Sequence, residues 1–139
     1  VALRPDSASR RRVDSLIATH HAARAGHTVD TYRHIDGVPL ELHILRPTAG
    51  DTGGVRPAML WFHGGSGTSG NWSHSPGIVR ELRRLGLVVV SVEYRTANRF
   101  DVDPIEQADD ARTAFEYVQR NADRLRVDPE RIGVAGFSS

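Results

Sequence analysis

Three short apolar runs, each followed by polar or glycine-rich residues, place the strongest constraint on the fold of this chain. They occupy 58–62, 87–92 and 132–135. Segments with helical periodicity separate them, so strand and helix patterns alternate along the sequence. Short strands that are apolar on both faces are typical of a parallel sheet covered by helices on both sides. The sequence therefore predicts an α/β fold.

Two segments with alternating polarity precede these runs and predict an antiparallel hairpin. Residues 28–35 and 38–45 meet at Asp36-Gly37, a dipeptide that readily adopts the positive φ angles of a two-residue turn. The hairpin is expected to lead into the parallel part of the sheet.

Helical spacing of apolar residues marks three segments: 10–25, 76–85 and 104–118. Gly86 stands where a helix C-cap belongs, and Asp103 precedes Pro104 as an N-cap precedes the first helical residue. Asp128-Pro129 predicts a turn ahead of the last strand. We expect an N-terminal helical segment over 1–26 and one partial α/β domain over 27–139.

Composition excludes several classes of function. The chain has 139 residues and no cysteine, which excludes a disulfide framework, a thiolate zinc site and a cysteine nucleophile. The formal net charge is +1, so no overall field favours nucleic acid. Because no apolar stretch approaches the ~20 residues of a membrane span and no secretory signal is visible, we expect no membrane contact and a cytoplasmic location. The chain begins with valine, so the true N-terminus can lie upstream, and the oligomeric state stays open.

A candidate nucleophile follows the last apolar run. Gly136-Phe137-Ser138-Ser139 matches the first four places of G-x-S-x-G, in which the central serine sits in a strained strand-to-helix turn. A strand that ends in glycine and serine is also a common plain turn. Ser138 is therefore a catalytic candidate that needs support from elsewhere in the chain.

That support comes from the glycine-rich segment after the first central strand. His63-Gly64-Gly65-Ser66 has the character of an oxyanion loop, in which main-chain N–H groups stabilise the alkoxide of acyl transfer. The predicted donors are Gly64, Gly65, Ser66 and Ser139. The alternatives are a phosphate-binding loop and a mobile turn. The segment lacks the Lys-Ser/Thr ending of a P-loop and fits no dinucleotide fingerprint.

With these residues the stretch from Trp61 to Ser139 resembles the α/β-hydrolase superfamily, near the HGGG esterases akin to hormone-sensitive lipase and bacterial carboxylesterases. Further stretches that resemble the family pattern are 93–97 (E-Y-R-T-A), 104–122 and 127–132 (V-D-P-E-R-I). Ser66 replaces the third glycine and Glu93 replaces the usual Asp. These departures favour a feruloyl-esterase-like or general carboxylesterase branch.

The resemblance implies the N-terminal half of an α/β-hydrolase fold, truncated at the nucleophile elbow. It implies a serine hydrolase that acts on small-molecule carboxylic esters through an acyl-enzyme on Ser138, without a cofactor. The acid and histidine of the triad are expected beyond residue 139, which would leave this fragment inactive alone. A peptidase or lactonase on the same fold, and a non-catalytic binding member of the fold, remain alternatives.

The seven histidines and the acidic residues of the third helix are assigned no chemistry. The resemblance gives His63 a structural role in the oxyanion loop. The other histidines show no ligand spacing with a nearby carboxylate, so no metal site is expected: His20, His21, His27, His34, His43 and His74. The acids are expected to be solvated and to cap the helix: Asp103, Glu106, Asp109 and Asp110.

Overall fold

The computed structural model describes residues 26–48 and 50–138, in which five strands form one mixed sheet. They are β1 (His27–Ile35), β2 (Val38–Leu45), β3 (Arg56–Phe62), β4 (Val88–Val92) and β5 (Val127–Gly136). Their spatial order is β1-β2-β4-β3-β5. β2 runs antiparallel to β1 and β4, whereas β3 runs parallel to β4 and β5. The predicted α/β class, with a hairpin leading into a parallel section, is confirmed.

The hairpin turn has the backbone that its dipeptide predicts. Asp36 has a φ of 48° and Gly37 a φ of 80°. Positive φ at both central positions gives a turn whose twist matches that of the flanking strands. The turn fixes the register, and Leu40, Leu42 and Ile44 consequently share the buried face of β2.

Within residues 26–48 and 50–138, three helices cover the two faces of the sheet: α1 (Pro76–Arg84), α2 (Pro104–Arg120) and α3 (Ala122–Leu125). On one face, Val79 of α1 packs with Trp61 and Val89. On the other face, α2 and α3 cover the larger cluster, which includes Val118 and Leu60. The helix predicted over 10–25 lies outside the described residues.

The start of α2 is a capping box. The Asp103 carboxylate accepts from the Glu106 N–H at 2.8 Å, and the Glu106 carboxylate accepts from the Asp103 N–H at 3.0 Å. Two N–H groups that the helix leaves without partners are thereby satisfied. The capping role predicted for both acids is confirmed.

The turn predicted at Asp128-Pro129 is a bulge inside β5 instead. Opposite β3, the pairing jumps from Arg56 with Val127 to Ala58 with Ile132, so the intervening residues of β5 lie outside the ladder. The Asp128 carboxylate accepts from the Glu130 N–H at 3.0 Å, which is an Asx-type turn. The local chemistry is that of a turn, but pairing on both sides keeps the segment within one strand.

Candidate active site

Three loops that follow parallel strands meet at one edge of the sheet. The glycine-rich segment 63–70 follows β3, residues 93–100 follow β4, and Phe137-Ser138 follows β5. Parallel strands place their carboxyl ends at the same edge, where open α/β sheets bind ligands. The sheet order thus brings Ser138 beside the loop formed by residues 63–70, which is distant in the chain.

Ser138 sits in a strained turn directly after β5. Its φ is 52°, in the left-handed region that non-glycine residues rarely adopt, and the residue is exposed. The preceding Phe137 N–H donates to the Phe62 carbonyl at 3.3 Å, which extends the β3–β5 ladder up to the turn. A left-handed serine at the end of a parallel strand is the backbone that a nucleophile elbow requires.

The glycine loop aims two main-chain donors at the elbow. The N–H groups of Gly65 and Ser66 both donate to the Ser138 carbonyl oxygen, at 3.2 and 3.1 Å. Ser66 reaches this position with a φ of 54°, in the left-handed region that glycine adopts most readily. A Cβ on Gly64 would lie 2.5 Å from the Phe137 carbonyl oxygen, which leaves no room for a side chain there. Ser139 lies outside the described residues.

The rest of the glycine loop is held by the loop after β4 and by α2. The Gly67 carbonyl accepts from the Ala97 N–H at 3.0 Å and from Gln107 Nε2 at 2.7 Å. Gln107 Nε2 also donates to the Arg95 carbonyl at 2.9 Å, so one amide ties both loops to the helix. The sequence pattern did not identify Gln107, because nothing in its helical position marks its side chain as a loop anchor.

His63 is a buried support of the loop. Its ring stacks on Tyr94 with centroids 4.5 Å apart, its Nδ1 lies 2.9 Å from the Gly64 carbonyl oxygen, and the Tyr94 hydroxyl donates to the His63 carbonyl at 2.7 Å. Burial lowers the pKa of His63 below its ordinary value, and the nearby His74 and Arg99 act in the same direction, whereas the hydrogen bond with the Gly64 carbonyl opposes the shift. The ring is therefore neutral near pH 7, and its contacts are those of a structural residue.

A buried ion-pair network fixes the loop after β4. Asp110 on α2 is fully buried, and its carboxylate accepts from the Arg95 N–H, Nε and Nη2 at 2.9 to 3.0 Å. Arg33 of β1 donates to the same carboxylate at 3.1 Å. The expectation that Asp110 is a solvated helix residue is wrong, because its side chain is fully buried in this network. The neighbouring Asp109 occupies the partly exposed position.

A small apolar cleft opens beside the glycine loop. Its volume is about 220 Å³, and its lining comes from β3, both loops and α2: Phe62, Gly67, Tyr94, Gln107, Ala108 and Ala111. An apolar cleft with a few polar groups at its rim is the usual form of a small-molecule site.

A second polar cluster lies between β2 and the end of β4. His43 stacks on Trp72 with centroids 4.0 Å apart, and its Nδ1 lies 3.0 Å from His27 Nε2. Burial, with a smaller contribution from His27, lowers the pKa of His43 to about 4. His43 Nε2 lies 3.4 Å from a Glu41 carboxylate oxygen. The expectation that His43 has no nearby carboxylate is therefore wrong, because Glu-x-His on a strand places both side chains on one face.

The strand order, the strained serine and the glycine loop define a chain of the α/β-hydrolase fold. Residues 42–139 match the model of the BD-FAE family, and the chain belongs to that family. Among the described residues no helix is long and apolar enough to cross a membrane.

Curated relatives share this part of the chain. An AB hydrolase superfamily protein of Schizosaccharomyces pombe is 36% identical over 105 residues, which cover 74% of this chain and 29% of that protein. The ethyl acetate hydrolase of Pseudomonas putida is 30% identical over 104 residues, covering 74% of this chain and 32% of the enzyme. The chain thus spans about a third or less of these relatives' length.

The fold also matches a solved esterase. Esterase 2 of Thermogutta terrifontis, in a structure phosphorylated by paraoxon, superposes with a TM-score of 0.73 and 30% sequence identity. The match covers 80% of this chain and 43% of that one. The same esterase has been solved with propionate bound.

Proposed function

We propose that the protein containing this chain hydrolyses small carboxylic esters through an acyl-enzyme on Ser138. The observation that carries the proposal is the pairing of a left-handed Ser138 with the two N–H groups of Gly65 and Ser66. Relatives named ethyl acetate hydrolase and carboxylesterase, and an esterase neighbour that paraoxon phosphorylates, support the same chemistry.

In the proposed reaction, the Ser138 hydroxyl attacks the ester carbonyl carbon and its proton passes to a general base. The tetrahedral intermediate expels the alcohol, which takes that proton, and water then cleaves the acyl-enzyme to release the acid and restore the hydroxyl. A serine hydroxyl needs such a base to react, and from the order Ser, Asp/Glu, His along α/β-hydrolase chains we expect the acid and the base after residue 139.

The proposed oxyanion donors are the N–H groups of Gly64, Gly65, Ser66 and Ser139. Two N–H groups that converge on one oxygen at 3.1 and 3.2 Å have the geometry that stabilises an alkoxide. Here that oxygen is the Ser138 carbonyl, so catalysis requires this carbonyl to turn away from the loop. The apolar cleft beside Gly67 suits a short acyl or alcohol group.

The test uses the full-length protein with p-nitrophenyl acetate and butyrate. Ser138→Ala is expected to lower kcat by about 10³-fold or more, whereas Ser73→Ala, on an exposed loop, keeps wild-type turnover. Paraoxon should add one diethylphosphoryl group to the wild type, with loss of p-nitrophenolate, and none to Ser138→Ala. Unchanged turnover in Ser138→Ala would refute the proposal, and a wild type that hydrolyses neither ester would favour a non-catalytic member of the fold.

A further inference from the structure

We propose that Glu41, His43 and Glu93 form a binding site for a divalent cation of the Zn²⁺ type. One imidazole nitrogen and one oxygen of each carboxylate lie within 4.8 Å of one another. Glu41 and His43 alternate along β2, so their side chains leave the same face of the strand. The Glu93 N–H donates to the Glu41 carbonyl at 2.9 Å, which sets Glu93 opposite Glu41 across the sheet.

The buried nitrogen of His43 is the second observation that points to a ligand. His43 is 94% buried, since its exposed fraction is 6%. Its Nε2 is shielded from solvent and has no hydrogen-bond partner among the described residues, although a Glu41 oxygen lies 3.4 Å away without the alignment of a hydrogen bond. A buried polar atom without a partner costs free energy, and a cation between this nitrogen and the carboxylates would remove that cost.

His27 can set the tautomer and orientation of the His43 ring. When His43 Nδ1 donates to His27 Nε2 across their 3.0 Å contact, His43 Nε2 carries a lone pair directed at the carboxylates. Ligating histidines in proteins are commonly oriented in this way through their other ring nitrogen. Stacking on Trp72 fixes the plane of the ring.

One ligand-to-ligand distance fits a small tetrahedral ion, and the others lie within 4.8 Å. Zinc binds histidine nitrogen and carboxylate oxygen at about 2.0–2.2 Å, so two ligand atoms of a tetrahedral site lie about 3.4 Å apart. His43 Nε2 and Glu41 Oε2 already have this separation. Mixed nitrogen and carboxylate donors suit Zn²⁺ better than Mg²⁺ or Ca²⁺, which prefer oxygen alone. Glu41 is the most exposed of the three side chains and gives the ion its entry path.

A bound ion would join β2 to the start of the loop after β4. Glu93 directly precedes Tyr94, whose hydroxyl holds the His63 carbonyl. The site uses neither Ser138 nor the glycine loop, so it is independent of the proposed hydrolase chemistry. Its role is to hold the first residue of a loop that supports the active site.

The experiment is calorimetric titration of Zn²⁺ into the full-length protein after removal of metals with a chelator. One tight site is expected in the wild type, and loss of one ligand in Glu41→Gln or Glu93→Gln should weaken binding by at least about tenfold. His34→Gln removes an exposed histidine and should leave the affinity unchanged. Co²⁺ in place of Zn²⁺ should give the visible absorption of a tetrahedral site in the wild type and in His34→Gln, and not in Glu41→Gln or Glu93→Gln.

Glu41→Gln and Glu93→Gln both keep the size of the side chain, and circular dichroism with a thermal melt verifies that each variant is folded. If a folded Glu41→Gln and a folded Glu93→Gln bind Zn²⁺ as tightly as the wild type, the bound ion lies elsewhere and the proposal is wrong. Absence of Zn²⁺ binding in the wild type would also overturn it. Neither readout depends on ester hydrolysis.

Discussion

Substitution Asp110→Asn tests the buried network that holds the loop after β4. The Asp110 carboxylate is fully buried and accepts four hydrogen bonds, three from Arg95 and one from Arg33. Asparagine keeps the shape but removes the charge, and its amide turns a donor toward guanidinium donors. Removing one partner of a buried ion pair typically costs about 3–5 kcal/mol, because the remaining charge is left without compensation. We expect a loss of this size in the free energy of unfolding.

The assay is urea or guanidinium denaturation of the full-length protein. A loss of 3–5 kcal/mol is large against a total stability of about 5–15 kcal/mol, so the transition midpoint should fall markedly at an unchanged slope. Asp109→Asn is the matched control, since it removes the same charge from the adjacent and partly exposed position, where solvent screens the ion pairs.

The double variant Asp110→Asn/Arg95→Met should recover part of the lost free energy of unfolding, because it leaves fewer buried charges without a partner than Asp110→Asn alone. Equal midpoints for Asp110→Asn and Asp109→Asn would refute the view that the buried carboxylate carries the network.

Two further predictions concern the loop itself. Gly64→Ala should lower kcat/KM for p-nitrophenyl acetate by about 10²-fold, because the added Cβ would lie 2.5 Å from the Phe137 carbonyl oxygen and displace the turn at Ser138. The control is Gly77→Ala on α1, where the added Cβ meets open space and turnover should stay unchanged. Burial lowers the pKa of His63 below 6.5, so on acidification the unfolded chain takes up a proton before the folded one does. Stability should therefore fall as pH drops from 6.5 toward the lowered pKa, and a denaturation series between about pH 5 and 7 should show a shallower dependence in His63→Gln.

Periodicity was sufficient to predict α1, α2 and the five strands of the described residues, because burial on one or two faces sets it directly. The four-residue helix α3 was not predicted. The Asp36-Gly37 turn and the Asp103 cap were predictable for the same reason, since each depends on local backbone chemistry alone. The turn at Asp128 was predicted from a similar local signal, but pairing with β3 on both sides makes the segment a bulge inside β5. Tertiary pairing therefore overrides local preference where a strand continues on both sides of a turn.

The polar residues that hold the site were harder to predict, because their partners are distant in the chain. Nothing near Asp110 in sequence identifies Arg95 and Arg33 as its partners, and its neighbour Asp109 has the same side chain with a different environment. The proximity of Glu41 to His43 could have been predicted from the sequence, since alternate residues of a strand share a face. The proximity of Glu93 to this pair could not have been predicted, because it depends on the pairing of β2 with β4.

The strained backbone at the elbow indicates what maintains the proposed site. Ser66 and Ser138 both have φ near 50°, and such residues cost about 1–3 kcal/mol each. The two hydrogen bonds from Gly65 and Ser66 to the Ser138 carbonyl contribute about 0.5–1.5 kcal/mol each, so at the middle of both ranges they offset about half of that cost. The remainder must come from elements that determine the two turns together, namely the β3–β5 ladder up to Phe62 and Gly136 and the anchoring of the glycine loop by Gln107. The left-handed backbone of Ser138 is therefore a property of the sheet register more than of the four residues that carry the motif.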